Sequence, residues 1–397
     1  MNHSTENNPV VSLNGERFNT LSLVGIVCAV VGIASTAVFA LKNHDQFYFS
    51  YLVSFLFWLS IALGGLFFVL VQFATKAGWS VVVRRFAEVW MNTLPLFVVL
   101  FIPVGLGLHG LFHWSHHEAI AEDPILQAKA SYLNAPFFYI RAAFYLLIWT
   151  LLARIYFKKS TEQDVTGNPD ITRFLQKISY PGIAVFAVTV TFAAFDWIMS
   201  LNPHWFSTIF GVYLFSGCVI AICANVILLV VAARRLGLTS ISVEHLQDIG
   251  KLLFAFIVFW SYIAFSQYML IWYANLPEET VFFVARWQGS WRYVSIALGI
   301  GHFVIPFFFL MSRHMKRKTP TLVIASLWML AMHALDLYWL VMPTFHVTTA
   351  KFHLLDVTTF LAVGGVCLFW VARTLQKYHV VPVRDPRLAE SLAFENY

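Results

Sequence analysis

The sequence predicts an all-α integral membrane protein of ten transmembrane helices, built as two four-helix bundles plus two flanking helices. Three observations carry this expectation. Hydrophobic residues make up 59% of the 397 and charged residues only 12%, about half of the ~25% that covers a soluble domain. Ten apolar runs each approach the roughly 20 residues that span about 30 Å of hydrocarbon. The 26 Lys and Arg fall twenty to six between alternate loops, a topogenic bias.

The runs lie at 21–41, 49–74, 93–113, 137–157, 181–201, 206–232, 251–273, 290–312, 320–342 and 355–375. The first follows a polar segment, 1–20, that lacks a basic stretch leading into a short apolar core. It reads as a retained cytoplasmic tail rather than a cleaved signal. The second carries Gly64 and Gly65, and the tenth Gly364 and Gly365. Such pairs let helices approach closely. The third holds Pro95 and Pro103, and the eighth Pro306. These prolines free backbone carbonyls and kink a helix, which either opens a cavity or is plain membrane architecture. Asn225, Ser261, Ser266 and Gln267 inside the sixth and seventh runs suit helix–helix hydrogen bonds. The last segment, 376–397, forms a second tail. Loops are short, so no large extramembrane domain is expected.

Clusters such as Lys158–Lys159, Arg234–Arg235 and Arg313–Lys318 place the basic excess on the side of both termini. That side is expected to be cytoplasmic. The net charge of +6 is thereby accounted for without nucleic acid; lipid is the expected surroundings. The four cysteines, Cys28, Cys218, Cys223 and Cys367, sit in apolar runs with no CxxC or CxxCH spacing. Covalent haem, cysteine-ligated clusters and disulfide frameworks are not expected in this chain.

An internal correspondence divides the runs. Pro181, Asp196 and Pro203 in the fifth are matched by Pro320, Asp336 and Pro343 in the ninth, at nearly equal spacing. Arg141 and Arg292 lie near the outer ends of the helices just before them. A parallel repeat follows, with bundles at 49–201 and 206–342 and flanking helices at 21–41 and 355–375.

Ionisable residues within spans usually face the bundle interior and mark function. Asp196 and Asp336 fall about 22–24 Å along their helices at 1.5 Å per residue, in the outer third. His302 lies near mid-membrane. His333 precedes Asp336 by three residues, on one helix face. Asp196, His302, His333, Asp336, Tyr338, Arg141 and Arg292 are the proton-path candidates, since His and Asp hold and release protons. The competing reading is structural: Asp196 pairs with Arg141, and Asp336 with Arg292 or a neighbouring helix. No residue is assigned a catalytic role.

His109, His113, His116 and His117 have ligand-like spacing but run into Glu118, Glu122 and Asp123. The stretch reads as a wet polar loop, so no metal is assigned. His302 and His333 differ in depth, which argues against bis-histidine haem. Gly105, Gly107 and Gly110 spell G-x-G-x-x-G inside a span with no strand before it, a chance match.

One stretch is more specific. Phe195-Asp196-Trp197-Ile198-Met199-Ser200-Leu201-Asn202-Pro203-His204-Trp205-Phe206-Ser207-Thr208-Ile209-Phe210-Gly211 resembles the signature of the NrfD/PsrC-like family of quinol-interacting membrane proteins. Within that family it is most similar to the F-type subunit of alternative complex III. The resemblance implies a membrane subunit of a quinol:electron-acceptor oxidoreductase in the bacterial cytoplasmic membrane. It implies partners: a related C-type membrane subunit, and outer-side subunits carrying haem c and iron–sulfur clusters. It implies a scaffold and proton path with no redox centre of its own, and Asp196, His204 and Trp205 as motif positions. A quinol site within this chain and a secondary transporter are the alternative functions.

Overall fold

The computed structural model describes residues 15–396. The expected tail up to residue 14 lies outside the described residues. Ten helices among those described are long and apolar enough to cross a membrane. They are α1 (Asn19–Ala40), α2 (His44–Ala74), α3 (Val81–Leu106), α4 (Ala135–Thr166), α5 (Pro169–Trp197), α6 (Phe210–Arg235), α7 (Val243–Ala274), α8 (Trp291–Met311), α9 (Thr319–Val341) and α10 (Leu354–Lys377). No strand occurs among the described residues. The chain is an all-α, multi-pass membrane protein.

Local chemistry sets the helix ends. Asn134 accepts from the Phe137 amide and Asn168 from the Asp170 amide, so both cap a helix start followed by proline. Between α4 and α5 only Gly167 and Asn168 intervene. Gly167 has φ +65°, the left-handed conformation that ends a helix at least cost for glycine. At α10, His353 and Asp356 form a reciprocal capping box.

Two boundaries differ most from the sequence reading; the fourth helix also runs on to Thr166 and the seventh starts at Val243, because polar turns extend both past their apolar runs. The third helix starts at Val81, not 93, because Arg84, Arg85 and Glu88 lower its hydropathy while pairing with groups inside the protein. Beyond Met91 it breaks into short turns around Pro95 and Pro103, where backbone donors are missing. The fifth helix begins at Pro169 and runs through Pro181, so Pro181 is interior rather than initial.

α2 is buried along nearly its whole length and touches α3, α5, α6, α9 and α10. α6 is the other buried helix. α2 to α5 pack around one another, and α6 to α9 do likewise. Gly64 brings α2 against α6; a Cβ there would overlap the Cys218 carbonyl oxygen. α1 packs almost wholly on α10, where Gly25, Gly32 and Gly365 leave room for the opposite backbone.

Both described ends lie on one face, termed here the terminal face. Gln376 donates to Asn19 Oδ1 across it at 3.0 Å.

Candidate functional site

The two aspartates end in different surroundings. Asp196, on the last turn of α5, is 1% exposed. Arg141 on α4 grips it with two parallel bonds, Nε to Oδ2 at 2.8 Å and Nη2 to Oδ1 at 2.9 Å. Tyr145, one turn along α4, donates to Oδ2 at 2.8 Å. The guanidinium also donates to the Tyr132 carbonyl and lies 3.8 Å above the Tyr132 ring. Every charge here has its partner. Arg141 and Asp196 form the pair that their positions in the sequence allowed.

Asp336 on α9 is 2% exposed and forms no ion pair among the described residues. Its carboxylate accepts from the Tyr213 hydroxyl on α6 and from Trp260 Nε1 on α7, the latter at 3.2 Å. His302 stacks face to face on Trp260 with centroids 3.7 Å apart. It sits in a π-helical turn, Gly299–Val304, in the middle of α8. Such single turns insert an extra residue and re-aim side chains. Both His302 ring nitrogens are buried without a partner among the described residues.

His333 shares a face of α9 with Asp336 but reaches a different helix. Its Nε2 lies 2.8 Å from Ser60 Oγ on α2. Its Nδ1 has no partner among the described residues. Gly217 on α6 makes room for the ring, since a Cβ there would enter it. Asp336, His302 and His333 thus lie in one bundle core, contacting α2, α6 and α7.

Two candidates lie elsewhere. Arg292 is exposed and donates to its neighbour Tyr293 at 2.7 Å, so it does not pair with Asp336. It follows the fully buried Trp291 by one residue, about 100° round the helix, which turns it outward. Tyr338 donates to the Lys351 carbonyl at 2.7 Å, away from Asp336. It stands two residues past Asp336, about 200° round the helix.

Sequence reasoning missed Tyr213, Trp260 and Arg286. Arg286 lies on a short helix, Pro277–Trp287, between α7 and α8. It is 4% exposed and has no carboxylate partner among the described residues. It donates instead to the carbonyls of Trp339, Leu340 and Phe282 at 3.2, 2.9 and 2.9 Å. Two of those carbonyls end α9, where the helix dipole favours a cation. One signal was available: Arg286 is among only six basic residues assigned to its side of the chain.

A cavity of about 560 Å³ lies one side chain away from Asp336. Tyr213 and Trp260, the two donors to Asp336, form part of its wall. Aromatic rings dominate the rest, with Ser261, Gln267 and Ser295 among the few polar groups. Residues of both α7 and α8 line it; the two helices touch through the π turn and the segment after it, Ile305–Met311, and stand apart along Trp291–Leu298, where the cavity lies between them. Tyr262 and Phe265, 65% and 61% exposed, stand on that side. They fit a lipid-facing surface.

The motif residues flank this region. His204 Nε2 lies 2.5 Å from Asp123 Oδ2. That bond, with two backbone donors, holds the Asp123 carboxyl below its usual range. Trp205 is 2% exposed; it donates to the Glu279 carbonyl at 3.1 Å and stacks on Phe282 at 4.0 Å. Among the loop histidines, His116 Nε2 bonds the His109 carbonyl and His109 Nδ1 meets Ser115 Oγ. No group of three or more His, Cys, Asp or Glu among the described residues is arranged to hold a metal.

No protein-family profile matches the chain, and no curated protein matches it. The chemistry must be argued from geometry. A fully paired Arg–Asp site holds its charges in place. A buried carboxyl without a cation, bonded to two neutral donors beside a cavity, is suited to exchanging a proton.

Proposed function

We propose that this chain is a membrane subunit of a quinol:electron-acceptor oxidoreductase, with Asp336 as the proton-exchanging group of its second bundle. The observation that carries this is the carboxyl itself: deeply buried, without a cation, and held by Tyr213 and Trp260 at the wall of a cavity. His333 and Ser60 extend polar contact from α9 towards α2. Asp196, held by Arg141, serves as scaffold. The resemblance of residues 195–211 to the F-type subunit of alternative complex III supports the complex and its partners. Those partners are a related C-type membrane subunit and outer-side chains with haem c and iron–sulfur clusters. The basic excess on the terminal face supports a cytoplasmic location for both ends, in a bacterial cytoplasmic membrane.

The cavity favours a second role in the same complex, a quinol site within this chain. A quinol hydroxyl donating to the Tyr213 oxygen would lie one hydrogen bond from Asp336. Oxidation would release two protons and two electrons. The carboxylate would take the two protons in turn through the Tyr213 hydroxyl, releasing the first before it takes the second, and the electrons would pass to haem or iron–sulfur centres in partner chains.

Asp336→Asn tests the proton role. The amide keeps the shape and can still accept from Tyr213, but it cannot carry the proton. Turnover of the purified complex should fall roughly a hundredfold, the scale of one lost acid–base group, with subunit composition unchanged. Full turnover with unchanged proton release would refute the assignment.

A further inference from the structure

We infer that the helix Pro277–Trp287 is a cap, held by Trp205 and Arg286, that seals the Asp336 cavity from the aqueous phase and leaves the gap between α7 and α8 as its entrance. The inference deepens the reading of that cavity as a ligand site next to Asp336. It concerns access, and it stands on contacts that no proton chemistry needs.

Phe282, Phe283 and Trp287 of the cap all line the cavity. The helix is only 11 residues long, and an isolated helix under about 12–15 residues is marginal in water. Its position therefore depends on what holds it.

Two attachments do so. At its first half, the Trp205 indole donates to the Glu279 carbonyl at 3.1 Å and lies flat on the Phe282 ring, 4.0 Å between centroids and 15° between planes. At its last turn, Arg286 reaches the Trp339 and Leu340 carbonyls that end α9. The Arg286 guanidinium also lies over the Phe282 ring, 3.4 Å from its centroid. Ser295 on α8 donates to the Arg286 carbonyl at 2.8 Å and accepts from Trp339 Nε1 at 2.8 Å. The cap is thus tied to the α5–α6 connection, to α8 and to α9, and Phe283 meets Tyr268 of α7 edge-on with centroids 5.1 Å apart; the exposed Tyr262 and Phe265 of α7 line the cavity away from it.

This gives Trp205 a task that its position in the chain hides. It belongs to a stretch following α5, yet its side chain acts on the second bundle. Trp205 and Arg286 are positioning residues for the cavity; neither touches Asp336.

The test measures access directly. The full chain is placed in lipid nanodiscs with Cys28→Ser, since the other three cysteines are buried, and a reporter is introduced by Ser261→Cys on the cavity wall. An uncharged, lipid-soluble maleimide should label it, and a sulfonated maleimide should react far more slowly. Adding Trp205→Ala or Arg286→Gln should raise labelling by the sulfonated reagent about tenfold, the effect of losing one strong hydrogen bond on a local opening. Trp205→Phe, which keeps the stack but loses the indole bond, should give a smaller rise and serves if the others fail to fold. Equal labelling by both reagents with the native cap would overturn the seal. Unchanged labelling in the cap variants would overturn the role of the two residues. Neither outcome depends on turnover, so loss of the Asp336 assignment alone would leave this result standing.

Discussion

Asp196 and Asp336 stand near the last turns of α5 and α9 and differ in whether a cation reaches them. Arg141 is placed by the first turns of α4 and meets Asp196 with two bonds. The corresponding arginine of the second half turns outward, and Arg286 binds carbonyls instead. Arg141→Gln should therefore leave a buried carboxylate uncompensated and cost about 3–5 kcal/mol, the usual penalty for removing one partner of a buried pair. Thermal unfolding of the purified chain would report it as a clear loss of Tm; an unchanged Tm would contradict the pairing's structural weight. Asp336→Asn removes no ion pair and should shift Tm far less. Both aspartates were visible in the sequence, because a lone carboxyl in an apolar run is conspicuous. Tyr213 and Trp260 were not, because aromatic residues are abundant in this chain, 17% of it, and which ring meets the carboxyl depends on helix rotation. Helix rotation also removed Tyr338 from the site.

The helices themselves were legible where apolar runs were uninterrupted and blurred where charges pair internally. The start of α3 was hidden for that reason: Arg84 and Arg85 looked topogenic, but both are buried and share Glu88. The π turn of α8 had no signature beyond Gly299, Gly301 and Pro306, and it is what puts His302 onto Trp260. The glycine pairs were read as points of close approach, and the α1–α10 crossing shows what such contact does. Gly32 faces the backbone at Ala362, and Gly365 faces Ala29. Since α1 touches little besides α10, Gly32→Leu should prise α1 away without unfolding the rest. Hydrogen–deuterium exchange should rise along α1 and the facing part of α10 while α2 and α6 keep their protection. Unaltered exchange in α1 would show that the crossing does not depend on that glycine.

At the scale of the whole molecule, the terminal face is held by a segment that no apolar run announces. After α10 the chain crosses back over the bundle ends. Asp385 accepts from Arg84 at 2.7 Å, and the Val383 amide donates to Asp164 at 3.1 Å. Farther on, His245 Nε2 lies 3.0 Å from the Ser391 carbonyl, and Asn396 donates to Asp248 at 2.8 Å. The first contacts belong to α3 and α4, the later ones to α7. The segment therefore ties the two groups of helices together over a buried cluster in which Arg85 also pairs with Asp164 at 2.6 Å. Sequence patterning reads such a stretch as a polar tail, because its few apolar residues carry no helical period; its function lies in charges that find partners only after folding. Ending the chain after Tyr378 removes this clamp and opens Arg84, Arg85 and Glu88 to water. The truncated chain should unfold at lower temperature and with less cooperativity than the full one, because the helix groups lose one of their shared attachments. Asp385→Asn, which loosens one bond but leaves Arg84 its contact with Glu88, should give a smaller drop with cooperativity intact. Scanning calorimetry on the two variants separates a clamp from a passive tail: a truncated chain with the full chain's Tm and transition width would show that the helix contacts alone hold the two groups together.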